Sequence, residues 1–323
     1  MPKPPNLTEL QKERLHVLEP ALRDAARRGD YRAAKQHAAD IQSLLRVSGH
    51  ETRLMQAKNW LFQAAMEAGE LDVAIAGFTG IRQKVSSRTR VYLEATALLV
   101  ICYLRQRNVT AAEPLMAEVL TSHNIMSESR RRKFLRLTVR KFEEEGVLAA
   151  LRGHGHDTFD STELESQAGL LIQTQTEDQI LAGIGSSIPR EVTDFLLKVD
   201  VASKRSLTAK EIKYLPPPED LVKNSEVGRT VFGSLKVVLW KSLCNPESEI
   251  YKAWFSRGFS FVLSKKYFGT AVAAVMVDLG IGIKALAVSV TAMIIKMGVE
   301  VYCEHCRPEG IMDARSGEEQ AIK

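Results

Sequence analysis

An all-α chain is expected from this sequence of 323 residues. A helix–turn–helix pattern recurs along its first half, residues 87–105 are apolar almost all round, and no stretch reads as a strand. The aromatic share of 7% and the abundant alanine suit helices packed on helices.

Four segments carry the recurring pattern: RRGDYRAAKQHAADI (27–41), EAGELDVAIAGFTGI (67–81), RQRNVTAAEPLMAEVL (105–120) and EEEGVLAALRG (143–153). Aligning Tyr31, Leu71, Val109 and Val147 puts Ala34, Ala74, Ala112 and Ala150 in register, at spacings of 40, 38 and 38 residues. A turn glycine such as Gly29 or Gly69 ends a first helix without a Cβ penalty. The apolar residue after the turn pins the second helix, and the small alanine one turn later lets two helix axes approach. Each pair cannot bury its apolar stripe alone, so neighbours stack into an α-solenoid of helical hairpins.

Gly29-Asp30-Tyr31 with Ala34, and Gly69, Leu71, Ala74 and Phe78, carry a family pattern. Residues 8–153 resemble the tetratricopeptide repeat, whose second helix opens Gly-Asp-Tyr-x-x-Ala. The spacing here is longer than the family's usual repeat of about 34 residues. The third copy lacks the glycine, and Gly146 sits one position late in the fourth. The resemblance implies a groove lined by first helices. Arg132 and Arg136 fall near positions that hold a peptide carboxylate in one subgroup, although Glu94 and Leu98 stand where the companion lysine and asparagine would be. A helical bundle whose hairpins look alike is the other reading of the same pattern.

Local signals agree with helix. Residues 87–105 suggest a central helix covered on both sides. Thr110-Ala111-Ala112-Glu113 has capping-box spacing at the start of a second helix, with Pro114 following in the first turn. Pro20 is expected to kink its helix or to start it late.

From residue 154 the character changes. Residues 161–198 read as two or three short helices, with Pro189 opening the last. Pro216-Pro217-Pro218 cannot be helical, so residues 199–224 are expected to be a linker. The expected organisation is a repeat array with a helical extension over 8–198, the linker at 199–224, an apolar helical domain over 225–308 with helices at 225–243 and 246–268, and a flexible tail at 309–323.

The formal net charge of +5 is uneven. Residues 1–150 hold 24 Lys+Arg against 17 Asp+Glu, and residues 151–323 hold 20 against 22. Attraction for anions therefore sits in the first half. Cys102, Cys244, Cys303 and Cys306 are too few for a disulfide framework, and the opening MPKPPNLTELQKERLH has no apolar core of a secretory signal. A cytoplasmic location is the resulting expectation.

The segment SESRRRKFLRLTVRKFEEEG (127–146) is the candidate partner-binding site, with Arg130, Arg132, Lys133, Arg136 and Arg140 as its contact residues. Arg132, Arg136 and Arg140 recur every four residues as one stripe, with Phe134, Leu135, Thr138 and Phe142 as the buried face. Its cations crowd the helix N-terminus and Glu143, Glu144 and Glu145 its C-terminus, against the helix dipole. An anionic partner would relieve that arrangement. The alternatives are a nucleic-acid surface and a solvated face with Arg140 pairing Glu144.

Residues 269–303 are nearly continuous apolar sequence, but Asp278, Lys284 and Lys296 interrupt it and Gly280 and Gly282 mark a turn. Two core helices, 270–279 and 283–302, are expected, with self-association to cover them; a membrane-associated segment is the alternative. Cys303-Glu304-His305-Cys306 is a lone C-x2-C, read as a capped helix end with free thiols rather than a metal site. Gly153-His154-Gly155-His156-Asp157 is the one cluster resembling a catalytic site, and residues 183–187 lack the lysine of a phosphate loop. No enzyme, cofactor or metal is expected. The function expected is a non-enzymatic adaptor or scaffold that binds an acidic protein segment through the basic helix. Its C-terminal helices would serve oligomerisation or docking. A membrane-associated effector and a nucleic-acid-binding accessory factor are the alternatives.

Overall fold

The computed structural model describes residues 4–125, 127–205, 223–244, 246, 251–252 and 267–315. Among these residues every regular element is helical, and the β pairing is one isolated parallel bridge between Gly155 and Gly282. The chain divides into two compact units, Met1–Phe142 with Gly310–Lys323, and Glu143–Glu309.

The first unit opens with six helices: α1 (Glu9–Arg28), α2 (Tyr31–Val47), α3 (Glu51–Glu67), α4 (Leu71–Lys84), α5 (Arg90–Arg105) and α6 (Val109–Leu120). Each packs on the next, α1 also packs on α3, and α3 on α5. These are helices packed in adjacent pairs, as the repeat pattern requires. Tyr31, Leu71 and Val109 are the first residues of α2, α4 and α6. The alanine three positions later, Ala34, Ala74 or Ala112, is 0% exposed in every pair.

The three turns share one geometry. Gly29 and Gly69 take the left-handed conformation, at φ 69° and 85°. Arg107 takes it in the third turn, at φ 61°, a conformation costing a side-chain-bearing residue roughly 1–2 kcal/mol. The next residue's N–H then reaches back across the helix end: Asp30 to the Ala25 carbonyl at 2.9 Å, Glu70 to Ala65 at 2.9 Å and Asn108 to Tyr103 at 2.8 Å. Asp30 and Asn108 cap the following helices, accepting from the N–H of Ala33 and Ala111. The cap of α6 is therefore Asn108 and not the expected Thr110-to-Glu113 box, and Pro114 lies inside the helix. Likewise α1 runs through Pro20 from a capping box at Thr8 and Gln11, so it does not start late. Helix α5 is buried almost all round, as expected.

The fourth copy is not a hairpin. α7 (Glu128–Leu151) continues through Gly146, where a turn was expected. No left-handed residue interrupts it. Gly146 instead accommodates the ring of Phe195, since a Cβ there would meet Phe195 Cε1 at 1.8 Å.

The second unit contains the end of α7 and α8 (Ser161–Thr174), α9 (Glu177–Ser187), α10 (Arg190–Lys204), α11 (Asn224–Leu243), α12 (Tyr267–Asp278), α13 (Lys284–Met297) and α14 (Val299–His305). Its core is apolar, with α13 buried continuously from Leu286 to Ile294 and packed on α8 and α9. α9 and α11 meet almost backbone to backbone: a Cβ on Gly185 would lie 1.9 Å from the Asn224 carbonyl oxygen, and one on Gly228 1.9 Å from that of Leu181.

The division between units differs from the expected one. It falls within α7, after Phe142, because residues 143–198 share a core with the C-terminal helices. Most of the expected linker, residues 206–222, lies outside the described residues, as do most of the expected helix 246–268 and residues 316–323. The described start of the expected flexible tail is ordered: Ile311–Arg315 is a short 3-10 helix of the first unit with Ile311, Met312 and Ala314 buried.

Candidate partner-binding surface

The N-terminal half of α7 places all five expected contact residues outward. Arg130, Arg132, Lys133, Arg136 and Arg140 are exposed, whereas Phe134, Leu137, Thr138 and Phe142 are buried. At 3.6 residues per turn, Arg132, Lys133, Arg136 and Arg140 fall within an arc of about 100° opposite that buried face. Leu135, expected in the buried face, is only half-buried, and Lys141 from the same basic run is buried.

Arg131 and Arg132 have local partners. Arg132 Nη2 donates to Glu128 Oε1 at 2.5 Å, and Arg131 Nη1 lies 2.6 Å from His123 Nδ1. Glu128 is the only carboxylate within 127–141, against seven cations. Because α7 runs on to Leu151, Glu143, Glu144 and Glu145 lie within the helix and only Arg130 and Arg131 of the cations lie in its first turn, so the dipole conflict expected from the sequence is confined to those two arginines. Each cation at the wrong end costs a few tenths to about 1 kcal/mol. Further along the helix Glu144 is buried and Glu143 half-buried. Burial, then the charges of Glu144 and Asp200, push the Glu143 carboxyl up to about 7.

The other sequence candidates are structural. In the 153–157 cluster the Gly153 N–H donates to the Gly280 carbonyl at 2.7 Å, Gly282 to His154 at 2.8 Å and Asp157 to Gly282 at 2.9 Å. Asp157 Oδ2 accepts from the Lys284 N–H at 2.8 Å, opening α13. The cluster therefore fastens the α12–α13 turn. The glycines of 183–187 lie within α9, where Gly185 serves the contact with α11. Cys303 is joined to Cys244 by a disulfide, which overturns the reading of both C-x2-C thiols as free; Cys306 and Cys102 remain thiols, both buried. No group of side chains among the described residues could hold a metal ion.

The apolar stretch 269–303 forms core helices within its own unit, and the second ends at Met297 because Gly298 turns at φ 80°. Asp278 and Lys296 lie at the surface. No described helix is long and apolar enough to cross a membrane. Since α13 is already covered within the chain, a second copy is not needed to bury it.

The sequence reading missed one cluster. Glu94, 0% exposed in the apolar helix α5, accepts from Arg90 Nε at 3.0 Å and from Arg315 Nε and Nη2 at 2.6 and 2.7 Å. A lone carboxylate in an apolar helix signals a buried cationic partner. Arg90, four residues earlier, is legible; Arg315 is not. No protein-family model, curated protein or solved structure matches the chain.

Proposed function

We propose that this protein is a non-enzymatic adaptor, of tetratricopeptide-like solenoid construction in residues 9–120, which binds an acidic protein segment through the basic face of α7. The observation that carries the reading is the exposed arc of Arg132, Lys133, Arg136 and Arg140 on a helix whose opposite face is buried. The excess of seven cations over one carboxylate in residues 127–141 supports an anionic partner, because its charge offsets their mutual repulsion. The hairpins α1–α2, α3–α4 and α5–α6 support the repeat reading through their shared turns and buried alanines. The second unit supplies a further attachment point, to another copy or to a second partner.

The test is fluorescence anisotropy of a labelled Glu/Asp-rich peptide with the full chain and with the Arg132→Glu, Arg136→Glu double variant. Binding is expected to weaken about tenfold in the variant, and to weaken with added salt. Equal affinity in a variant of unchanged helicity refutes the reading. Tighter binding of single-stranded nucleic acid than of the peptide, lost in the same variant, assigns the arc to phosphate contacts instead.

A further inference from the structure

Residues 310–315 belong to the first unit although they follow the second in sequence. They sit on the first helices of the hairpins as a bound peptide would. Ile311, Met312 and Ala314 are 1%, 0% and 2% exposed. Asp313 Oδ1 accepts from Arg27 Nε and Nη2 of α1 at 3.1 and 2.9 Å. Arg315 makes a two-pronged pair with Glu94 of α5. Gly310 approaches Gln63 of α3 so closely that a Cβ would stand 3.0 Å from the Gln63 amide nitrogen.

Two features mark this as a recognition site. First, a 3-10 helix of five residues has too little internal bonding to persist alone, so the array imposes its shape. Second, the receptor groups are built in advance. Glu94 is wholly buried and already held by Arg90, and Arg27 lies over the Trp60 ring at 5.8 Å. Such orientation favours the bidentate acceptance of a guanidinium.

We propose that α1, α3 and α5 form a peptide-binding cleft, that it recognises a short segment of the form apolar–apolar–acidic–x–Arg, and that residues 311–315 occupy it in cis. The code follows from the contacts. The buried carboxylate of Glu94 selects arginine, Arg27 selects an acidic residue two positions earlier, and the near-complete burial of Ile311 and Met312 selects an apolar opening pair. A lysine in place of the arginine would lose the two-pronged geometry. The cleft reads a cation, whereas the α7 arc reads anions, so the two proposals stand or fall separately.

A cis occupant lowers the apparent affinity for any segment in trans by the fraction of time the cleft is empty. The test therefore uses the full chain with the occupant weakened. A fluorescein-labelled Gly-Ile-Met-Asp-Ala-Arg peptide, amidated at its C-terminus, is titrated with wild-type protein, Arg315→Glu and Asp313→Ala. Arg315→Glu brings like charges together at Glu94 and releases the segment; Asp313→Ala removes the Arg27 contact and the Gly310 N–H bond to Asp313 Oδ2 at 2.8 Å, leaving the Glu94 pair. Both variants are expected to bind the peptide more tightly than wild type, by about tenfold or more for Arg315→Glu. A control peptide ending in glutamate should not bind. If Arg315→Glu does not fold, Asp313→Ala decides alone. No gain over wild type in the folded variants, or equal binding of the control peptide, overturns the proposal and leaves residues 310–315 as fixed core.

Discussion

A Cβ placed on Gly155 would stand 2.1 Å from the carbonyl oxygen of Gly282, so these two backbones touch at a distance that excludes every side chain. Gly155 also takes φ +75°. Both constraints act on one residue, and neighbouring hydrogen bonds from Gly153, Asp157 and Gly282 hold the approach in place. Gly155→Ala is expected to lower unfolding free energy by about 2–5 kcal/mol, combining overpacking with left-handed strain. Gly280→Ala provides the contrast. Gly280 has φ +66° but its Cβ would meet nothing nearer than 3.9 Å, so only the conformational cost of about 1–2 kcal/mol remains. Urea unfolding of the two variants measures the difference. Equal costs would mean that the close approach is not part of the solution structure.

What the sequence made legible follows periodicity and local rules. Tyr31, Leu71 and Val109 were aligned by pattern and do begin equivalent helices, because a left-handed turn and a buried alanine are short-range requirements. The exposed cations of α7 were legible for the same reason, since an apolar stripe fixes which face points outward. Gly146 misled, because a helix-ending glycine and a glycine cleared for a distant ring look the same in sequence; only Phe195 tells them apart. Arg107 misled in reverse, doing a glycine's work without being one. The Arg315 contact with Glu94 and the Cys244 bond to Cys303 span 221 and 59 residues, beyond the reach of any local pattern.

The bond between Cys244 and Cys303 ties the end of α11 to α14. Closing a loop of that size in the unfolded chain stabilises the native state by about 2–4 kcal/mol. A reductant is therefore expected to lower the melting temperature by about 5–15 °C, and the Cys244→Ser, Cys303→Ser double variant should melt at the reduced value with or without reductant. Thiol titration after denaturation without reductant should find Cys102 and Cys306 alone. In the folded protein Cys306 should react slowly, since its buried thiol is pushed up from its ordinary range. Such bonds persist in oxidising compartments, which sets this one against the cytoplasmic location expected from cysteine number. Four titratable thiols in protein isolated under thiol-trapping conditions would remove the conflict by showing the pair reduced.

Glu143 gives the second unit a pH dependence of a definite sign. Its carboxyl titrates at about 7 in the folded chain and near the ordinary 4.5 when unfolded. Between those values the native state holds a proton that the unfolded chain has released, so stability from this group is full below pH 4.5 and falls as pH rises to 7. Above 7 the folded chain carries a half-buried carboxylate beside Glu144 and Asp200, and Asp200 pairs with Lys204 at 2.7 Å. Glu143→Gln keeps the shape and removes the charge. The variant should match wild type at pH 4.5 and exceed it by about 1–2 kcal/mol at pH 8, after allowance for partial exposure. Asp200→Asn should lower the midpoint of the wild-type loss without abolishing it, because burial is the larger cause and Asp200 the smaller. Urea midpoints measured across the pH range decide the matter: a Glu143→Gln profile parallel to wild type would assign the loss to another group and leave Glu143 ionised throughout.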